Sequence, residues 1–160
     1  MSKGTHNYVT HLLWTGNTGS GTAGYEGYER SFQWQVSGKP LIQGSSDPAF
    51  RGDASKYNPE ELLVASLSSC HMLWYLHLCA ENQIILTGYA DDAIGTMTSE
   101  KFIQGVLTAG KFQRVLLQPV VTLLNPSDLP KARALHHEAH HRCFISASVN
   151  FPVDIEEHFE

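Results

Sequence analysis

Residues 58–81 read NPEELLVASLSSCHMLWYLHLCAE and predict the long helix around which the fold is organised. Asn58 is a good helix N-cap and Pro59 suits the first helical position. Glu60 and Glu61 then complement the positive end of the helix dipole. Residues 62–80 contain no Asp, Glu, Lys or Arg. A helix that is apolar nearly all round belongs either to the centre of a fold or to a membrane.

Polar side chains inside this uncharged run favour the centre of a soluble fold. The run contains several of them: Ser66, Ser68, Ser69, His71 and His77. No second apolar stretch of similar length accompanies it, and the mean hydropathy of the chain is −0.21. The net charge of −5 predicts neither a nucleic acid nor a membrane as partner.

The cysteine count and the N-terminus indicate a reducing compartment. Three cysteines in 160 residues are too few for the disulfide framework of a small secreted domain. The first residues, MSKGTHNYVTHLLW, lack the apolar run of a signal peptide. We therefore expect a cytoplasmic protein.

Shorter elements flank the central helix on both sides. Strands are predicted at residues 8–14, 32–36, 41–42, 84–89, 102–108, 115–124 and 143–151, and a second helix from residue 127 or 128 to residue 141. The last strand rests on the alternation of Ile145, Ala147, Val149 and Phe151. Hairpin-length links between the strands predict one α+β domain over residues 1–160, with mainly antiparallel sheet and two main helices.

The cysteines of the central helix face opposite sides of it. Cys70 shares a face with Leu67, Trp74 and His77. An arbitrary helical cysteine is most often a buried structural thiol, and a reactive one needs a nearby cation or hydrogen-bond donor. Cys79 follows Cys70 after ~900° of helix rotation, so we expect it to be a small core residue outside any redox pair.

Two motifs make the chain similar to a known family. The first combines NPEELL at residues 58–63 with SSCHM at residues 68–72. The second combines HEAH at 137–140, RCFI at 142–145 and VNFPV at 149–153. In this order they resemble the OsmC/Ohr family of osmotically inducible and organic hydroperoxide resistance proteins. The resemblance implies an OsmC-like fold, a peroxidatic cysteine on the central helix and an intertwined homodimer.

The resemblance also implies roles for individual residues. Cys70 matches the peroxidatic cysteine and Cys143 the resolving cysteine of a thiol-dependent peroxidase, which form a disulfide after the peroxide is reduced. An external dithiol, often a protein-bound lipoyl group, then restores both thiols. Glu60 matches a glutamate that orients an activating arginine, although a plain helix N-terminal charge is the simpler interpretation. No metal, flavin or haem is implied.

The activating arginine is a choice between two residues. Arg30 is the first candidate, because the arginine of the family lies early, in the first hairpin region. Arg51, in the sequence PAFRGD, lies close to the start of the central helix and competes with it. Whichever is not the activator is expected to be an ordinary surface arginine.

Two other functions compete with an organic hydroperoxide reductase. In the first, an OsmC-like domain holds a small apolar ligand or senses oxidation without turnover. His137, Glu138 and His141 fit the H-E-x-x-H pattern of a zinc hydrolase, although a histidine-rich polar helix face explains the same residues better. The apolar side chains around Cys70 favour an alkyl or fatty-acid hydroperoxide as substrate.

Overall fold

A computed structural model of the protein describes residues 4–99, 101–103 and 106–160, and the side-chain environments of these residues except 101–108. The chain forms two compact units, residues 1–62 and residues 63–160. The fold class is α+β, as predicted, and the described residues contain two α-helices and sheets that are mainly antiparallel.

The first unit contains a three-stranded antiparallel meander. Its strands are β1 (His11–Trp14), β2 (Phe32–Gln35) and β3 (Ile42–Gly44), in that order across the sheet. The β2–β3 hairpin predicted around residues 32–42 is therefore present. Gly44 lies opposite Phe32, whose ring occupies the space that a Cβ would need.

Helix α1 (Pro59–Glu81) has the bounds that the sequence predicts. Its first turn is closed by a capping box: the Glu61 backbone N–H donates to Asn58 Oδ1 at 2.7 Å, and the Asn58 N–H donates to Glu61 Oε2 at 3.0 Å. Two backbone N–H groups at the start of the helix, which have no carbonyl partner within it, are satisfied in this way. This explains why the helix begins at Pro59.

The second unit contains the remaining strands and helix. These are β4 (Leu86–Asp91), β5 (Ile94–Thr98), β6 (Lys101–Ile103), β7 (Val106–Thr108), β8 (Lys111–Leu117), β9 (Pro119–Leu123), α2 (Leu129–Arg142), β10 (Val153–Ile155) and β11 (His158–Phe159). Two three-stranded sheets have the orders β10-β8-β5 and β11-β9-β4. The C-terminal strands β10 and β11 pair in parallel with β8 and β9, and the other pairs are antiparallel.

Two predicted strands differ from those observed. The run predicted at residues 115–124 is interrupted at Gln118, and β8 and β9 belong to different sheets. The strand predicted at 102–108 includes residues 104–105, which lie outside the described residues, and the flanking strands β6 and β7 pair with each other. Strand β5 was not predicted, because its sequence IGTMT gives a weak alternation.

The strand predicted at residues 143–151 is wrong. After α2 the chain forms a 3₁₀ turn at Ser146–Ser148, and the next strand begins only at Val153. Ile145, Val149 and Phe151 do face a core cluster, together with residues of β8. The alternating apolar residues therefore pack against the core, but the segment does not form the ladder of backbone hydrogen bonds that defines a strand.

The second unit has two core clusters, and α1 contributes to both. One contains Tyr75, Leu78 and Cys79 of α1 with Val121 of β9, and the other contains Leu67 with residues of β8. Cys79 is a core residue, as predicted. By length and composition alone α1 would also pass as a membrane-spanning helix. Its buried residues fit the helix at the centre of a folded core instead.

Candidate active site

The fold brings together two cysteines that lie far apart in the sequence. Cys70 is half-buried in the middle of α1, and Cys143 is buried immediately after the last residue of α2. Both thiols are free, and Cys70 is among the neighbours that raise the pKa of the Cys143 thiol. The end of α2 holds Cys143 in place, because its backbone N–H donates to the His140 carbonyl oxygen at 3.2 Å.

The environments of the two sulfur atoms differ. Burial and, to a smaller extent, the neighbouring Cys70 thiol together raise the pKa of the Cys143 thiol to about 11. The Ser146 backbone N–H, 3.4 Å from Cys143 Sγ, acts in the opposite direction by donating to the sulfur. At neutral pH Cys143 is therefore a protonated thiol, whereas Cys70 is the more accessible of the two.

An aromatic pair adjoins the two cysteines. Trp74 lies one helical turn after Cys70, Phe144 directly follows Cys143, and their rings meet edge to face with centroids 5.6 Å apart. The Arg142 guanidinium lies 5.7 Å from the Trp74 ring centre. Phe144 is 69% exposed, so an apolar molecule can reach this ring pair, which is called the aromatic wall below. Helical spacing placed Trp74 beside Cys70, but no sequence signal placed Phe144 beside Trp74.

The two candidate arginines lie in the first unit, with different environments. Arg30 is held between the rings of Tyr25 and Tyr28 and donates to the carbonyl oxygens of both residues, at 2.7 and 2.6 Å. Arg51 takes a left-handed backbone conformation with φ 64° and pairs with Glu26 at 3.2 Å. Both arginines line one polar cavity of about 560 Å³.

Glu60 lies in the first turn of α1, where it is half-buried. Among the described residues, neither Arg30 nor Arg51 is within ion-pair distance of its carboxylate. The hydrogen-bonding carboxylate of the capping box belongs to Glu61. The structure therefore does not bring Glu60 together with either arginine.

The H-E-x-x-H pattern does not form a hydrolase centre. Glu138, which would be the general base of such an enzyme, is paired with Arg142 at 2.7 Å. In the part of the chain that the structure describes, no group of three or more His, Cys, Asp or Glu side chains is arranged to hold a metal ion. His137 and His141 are exposed on the helix surface, with Nε2 atoms 3.2 Å apart.

His136 is 3% exposed, unlike His137 and His141 on the polar face of the same helix. Its Nδ1 lies 3.0 Å from Nε2 of His71, and its ring stacks on Tyr75 with centroids 3.8 Å apart. The other ring nitrogens, His71 Nδ1 and His136 Nε2, are buried without a hydrogen-bond partner among the described residues. Burial lowers the pKa of His71 to about 4 and that of His136 to about 3. Sequence reasoning missed this pair, since its two members lie on different helices.

Comparison with known proteins gives the same fold over nearly the whole chain. An OsmC-like protein of unknown function from Vibrio cholerae is 29% identical with a TM-score of 0.82, over 96% of this chain and 99% of that one. An organic hydroperoxide resistance protein OsmC from Legionella pneumophila is 18% identical with a TM-score of 0.68, over 99% of each chain. An organic hydroperoxide resistance protein from Elizabethkingia anophelis is 15% identical with a TM-score of 0.66, over 97% of each chain.

No significant match was found among curated proteins. The family model of the OsmC-like proteins matches residues 52–158, which include α1, both cysteines and α2. Given this match and the shared fold, the chain belongs to the OsmC-like family, whose solved members include proteins named for organic hydroperoxide resistance.

Proposed function

We propose that the protein is a thiol-dependent peroxidase that reduces organic hydroperoxides to alcohols. The observation that carries this proposal is that two free cysteines, one on α1 and one after α2, are close enough for Cys70 to raise the pKa of the Cys143 thiol. Two neighbouring free cysteines can form a disulfide when their backbone geometry allows it. Membership of the OsmC-like family, with neighbours named for hydroperoxide resistance, supports the same function.

The proposed reaction divides the work between the two sulfur atoms. The Cys70 thiolate attacks the outer peroxide oxygen, the O–O bond breaks, and the alkoxide takes up a proton and leaves as the alcohol. Cys70 is then a sulfenic acid. Cys143 attacks that sulfur, water leaves, and a Cys70–Cys143 disulfide forms. An external dithiol, such as a protein-bound dihydrolipoyl group, reduces the disulfide and is itself oxidised.

The raised pKa of the Cys143 thiol suits this division of work between the two cysteines. Cys143, with a pKa of about 11, stays protonated at neutral pH and does not compete for the peroxide. Once Cys70 has been oxidised, its thiol no longer acts on Cys143, so one cause of the raised Cys143 pKa is removed. The Ser146 N–H then favours the Cys143 thiolate that the second step requires.

The substrate class follows from the aromatic wall. Trp74 and Phe144 offer an exposed apolar surface next to the sulfur pair, and hydrogen peroxide has no group to place there. An alkyl or fatty-acid chain buries apolar area on such a surface, at roughly 25 cal/mol per Å². The enzyme should therefore prefer alkyl hydroperoxides.

We assign activation of Cys70 to an arginine, with Arg30 first and Arg51 as the alternative. Within the described part of the chain, Glu60 pairs with neither arginine, and its orienting role is part of the same proposal. Arg30 is the better-ordered cation of the two, because two carbonyl oxygens and two tyrosine rings hold it. Arg51 is 46% exposed and its partner Glu26 is 81% exposed, which makes that ion pair weak.

We further propose that two copies of the chain assemble into a homodimer in the cytoplasm. The first unit exposes large apolar side chains that a monomer would leave in water, among them Tyr8 at 91%, Val9 at 81%, Leu12 at 60% and Tyr57 at 60%. All three cysteines are free thiols, the state that a reducing compartment maintains. Sedimentation at micromolar concentration tests the assembly.

The central experiment treats reduced protein with one equivalent of cumene hydroperoxide and maps disulfides by mass spectrometry. We expect a peptide joining Cys70 to Cys143, and consumption of cumene hydroperoxide faster than of hydrogen peroxide. Cys143→Ser should stop at the Cys70 sulfenic acid, which dimedone traps, and Cys79→Ser is the matched control with normal turnover. Unconsumed peroxide and two unreacted thiols would instead indicate a binding or sensing domain.

The arginine assignment has its own test. Arg30→Ala and Arg51→Ala are compared by the pH dependence of Cys70 alkylation and by the rate of peroxide consumption. Arg30→Ala should shift the alkylation profile to higher pH and slow the reaction, while Arg51→Ala leaves both close to wild type. The reverse result would assign activation to Arg51.

A further inference from the structure

The exposed face of α2 carries a pair of histidines that no step of the proposed peroxidase reaction uses. His137 and His141 are one helical turn apart, both are exposed, and their rings meet edge to face with centroids 4.4 Å apart. Their Nε2 atoms are separated by 3.2 Å. The two ring nitrogens are therefore close enough to contact one and the same ion.

We propose that His137 and His141 form a binding site for a late first-row divalent metal ion, such as Zn²⁺, Ni²⁺ or Cu²⁺. Imidazole nitrogens bind these ions at about 2.0–2.1 Å, so two of them at a tetrahedral ion are about 3.4 Å apart. The observed 3.2 Å separation already fits this arrangement. Little side-chain ordering is then needed on binding.

Without a metal ion, the two histidine rings are restricted in their protonation and tautomers. With no ion between them, one Nε2 must carry a proton and donate it to the other, which fixes one tautomer on each ring. If both rings are protonated, two like charges face each other one turn apart on the helix, which destabilises it. An ion that accepts both lone pairs satisfies both nitrogens at once.

The surrounding side chains leave the site open to solvent. Glu138 is engaged by Arg142 and is not free to act as a third ligand. His140 lies on the more buried side of the helix, where Asp154 is among the charges acting on it. Water molecules would therefore complete the coordination sphere, which makes this a two-ligand surface site and not a hydrolase centre.

The site lies on the last turn of α2, which ends at Cys143. A metal ion held by His137 and His141 links residues one turn apart, and the His140 carbonyl in the same turn accepts the Cys143 N–H. Metal binding should therefore stabilise the helix end that positions the proposed resolving cysteine. The metal site itself does not depend on the peroxidase proposal.

The test is a calorimetric titration of the reduced protein with Ni²⁺ at pH 7.5. We expect one equivalent to bind in wild type and this step to be lost in both His137→Ala and His141→Ala. Any Ni²⁺ held by the thiols contributes equally to every variant. His77→Ala, which removes an exposed histidine paired with Glu81 on α1, should retain the step.

A second variant tests whether binding depends on the spacing of the two histidines and not only on the number of histidines in the chain. Ala134→His combined with His137→Ala keeps the number of histidines but places the pair two turns apart, about 10 Å along the helix. This variant should lose the one-equivalent step, and Ni²⁺ should no longer raise its melting temperature. Binding equal to wild type would show only adventitious histidine binding and would overturn the proposal, as would the absence of the step in wild type. Peroxide consumption without metal, measured in parallel, reports on the peroxidase proposal separately.

Discussion

Acidification should destabilise the protein through the buried pair His71 and His136. These side chains are 1% and 3% exposed, and burial lowers their pKa values to about 4 and about 3. Both are neutral in the folded state at pH 5, whereas an unfolded histidine has a pKa of ~6.5. Below pH 6.5 the unfolded state therefore binds protons that the folded state does not, and the free energy of unfolding falls as the pH falls.

The magnitude follows from the proton uptake. At pH 5 each unfolded histidine gains about 2 kcal/mol from protonation that its buried counterpart does not gain, so the pair costs about 4 kcal/mol between pH 7 and pH 5. This is a large share of the ~5–15 kcal/mol by which a typical domain is stable. The contribution of the pair is fully present above pH 6.5 and is lost progressively toward pH 4.

The assay is urea unfolding followed by tryptophan fluorescence at pH 7, 6 and 5, at fixed protein concentration and with a thiol reductant. The double variant His71→Phe/His136→Phe removes both titrations and keeps rings beside Tyr75. It should lose about 4 kcal/mol less than wild type over this range. The exposed His137→Phe is the matched control and should follow wild type. Parallel losses in wild type and the double variant would refute the argument, because the buried pair would then bind protons like unfolded histidines.

Three further predictions concern the site and the fold. Alkylation of Cys143 by iodoacetamide should keep accelerating up to pH ~11, because burial raises its pKa to about 11, and a plateau below pH 9 would contradict this. Gly52→Ala should cost about 3 kcal/mol or more in urea unfolding, since the new Cβ would overlap the Ser46 carbonyl; Gly24→Ala, with open space around it, should change little. Asn58→Ala should cost about 1 kcal/mol by removing the cap of α1, and Asn58→Asp should retain most of it.

The helix signals in the sequence predicted the bounds of α1 correctly and those of α2 to within one or two residues. Asn58 and Pro59 mark the start of α1 through local chemistry, which acts within one turn and needs no tertiary contact. The strand signals were less reliable. The interruption at Gln118 separates two sheets, and the segment from Cys143 to Phe151 packs alternate residues on the core without pairing as a strand. Whether an alternating segment becomes a strand depends on a free sheet edge elsewhere in the chain.

For the candidate site, too, the sequence identified some features and the structure was needed for others. The family motifs identified Cys70 and Cys143, and helical spacing set Cys79 apart from them. Neither source contained the environment of the sulfur atoms, since the pKa of Cys143 depends on its burial and on its neighbour Cys70, which lies on another helix.

By itself, then, the sequence determined which residues form the central helix, where it begins, and which two cysteines are candidates for the redox pair. These are consequences of local chemistry and of motif order. Only the tertiary structure decided that the two thiols meet, that Trp74 and Phe144 form a wall beside them, and that His136 belongs to the core. The physical reason is that burial, hydrogen bonding and pKa are set by neighbours from other elements, whose positions local sequence does not contain.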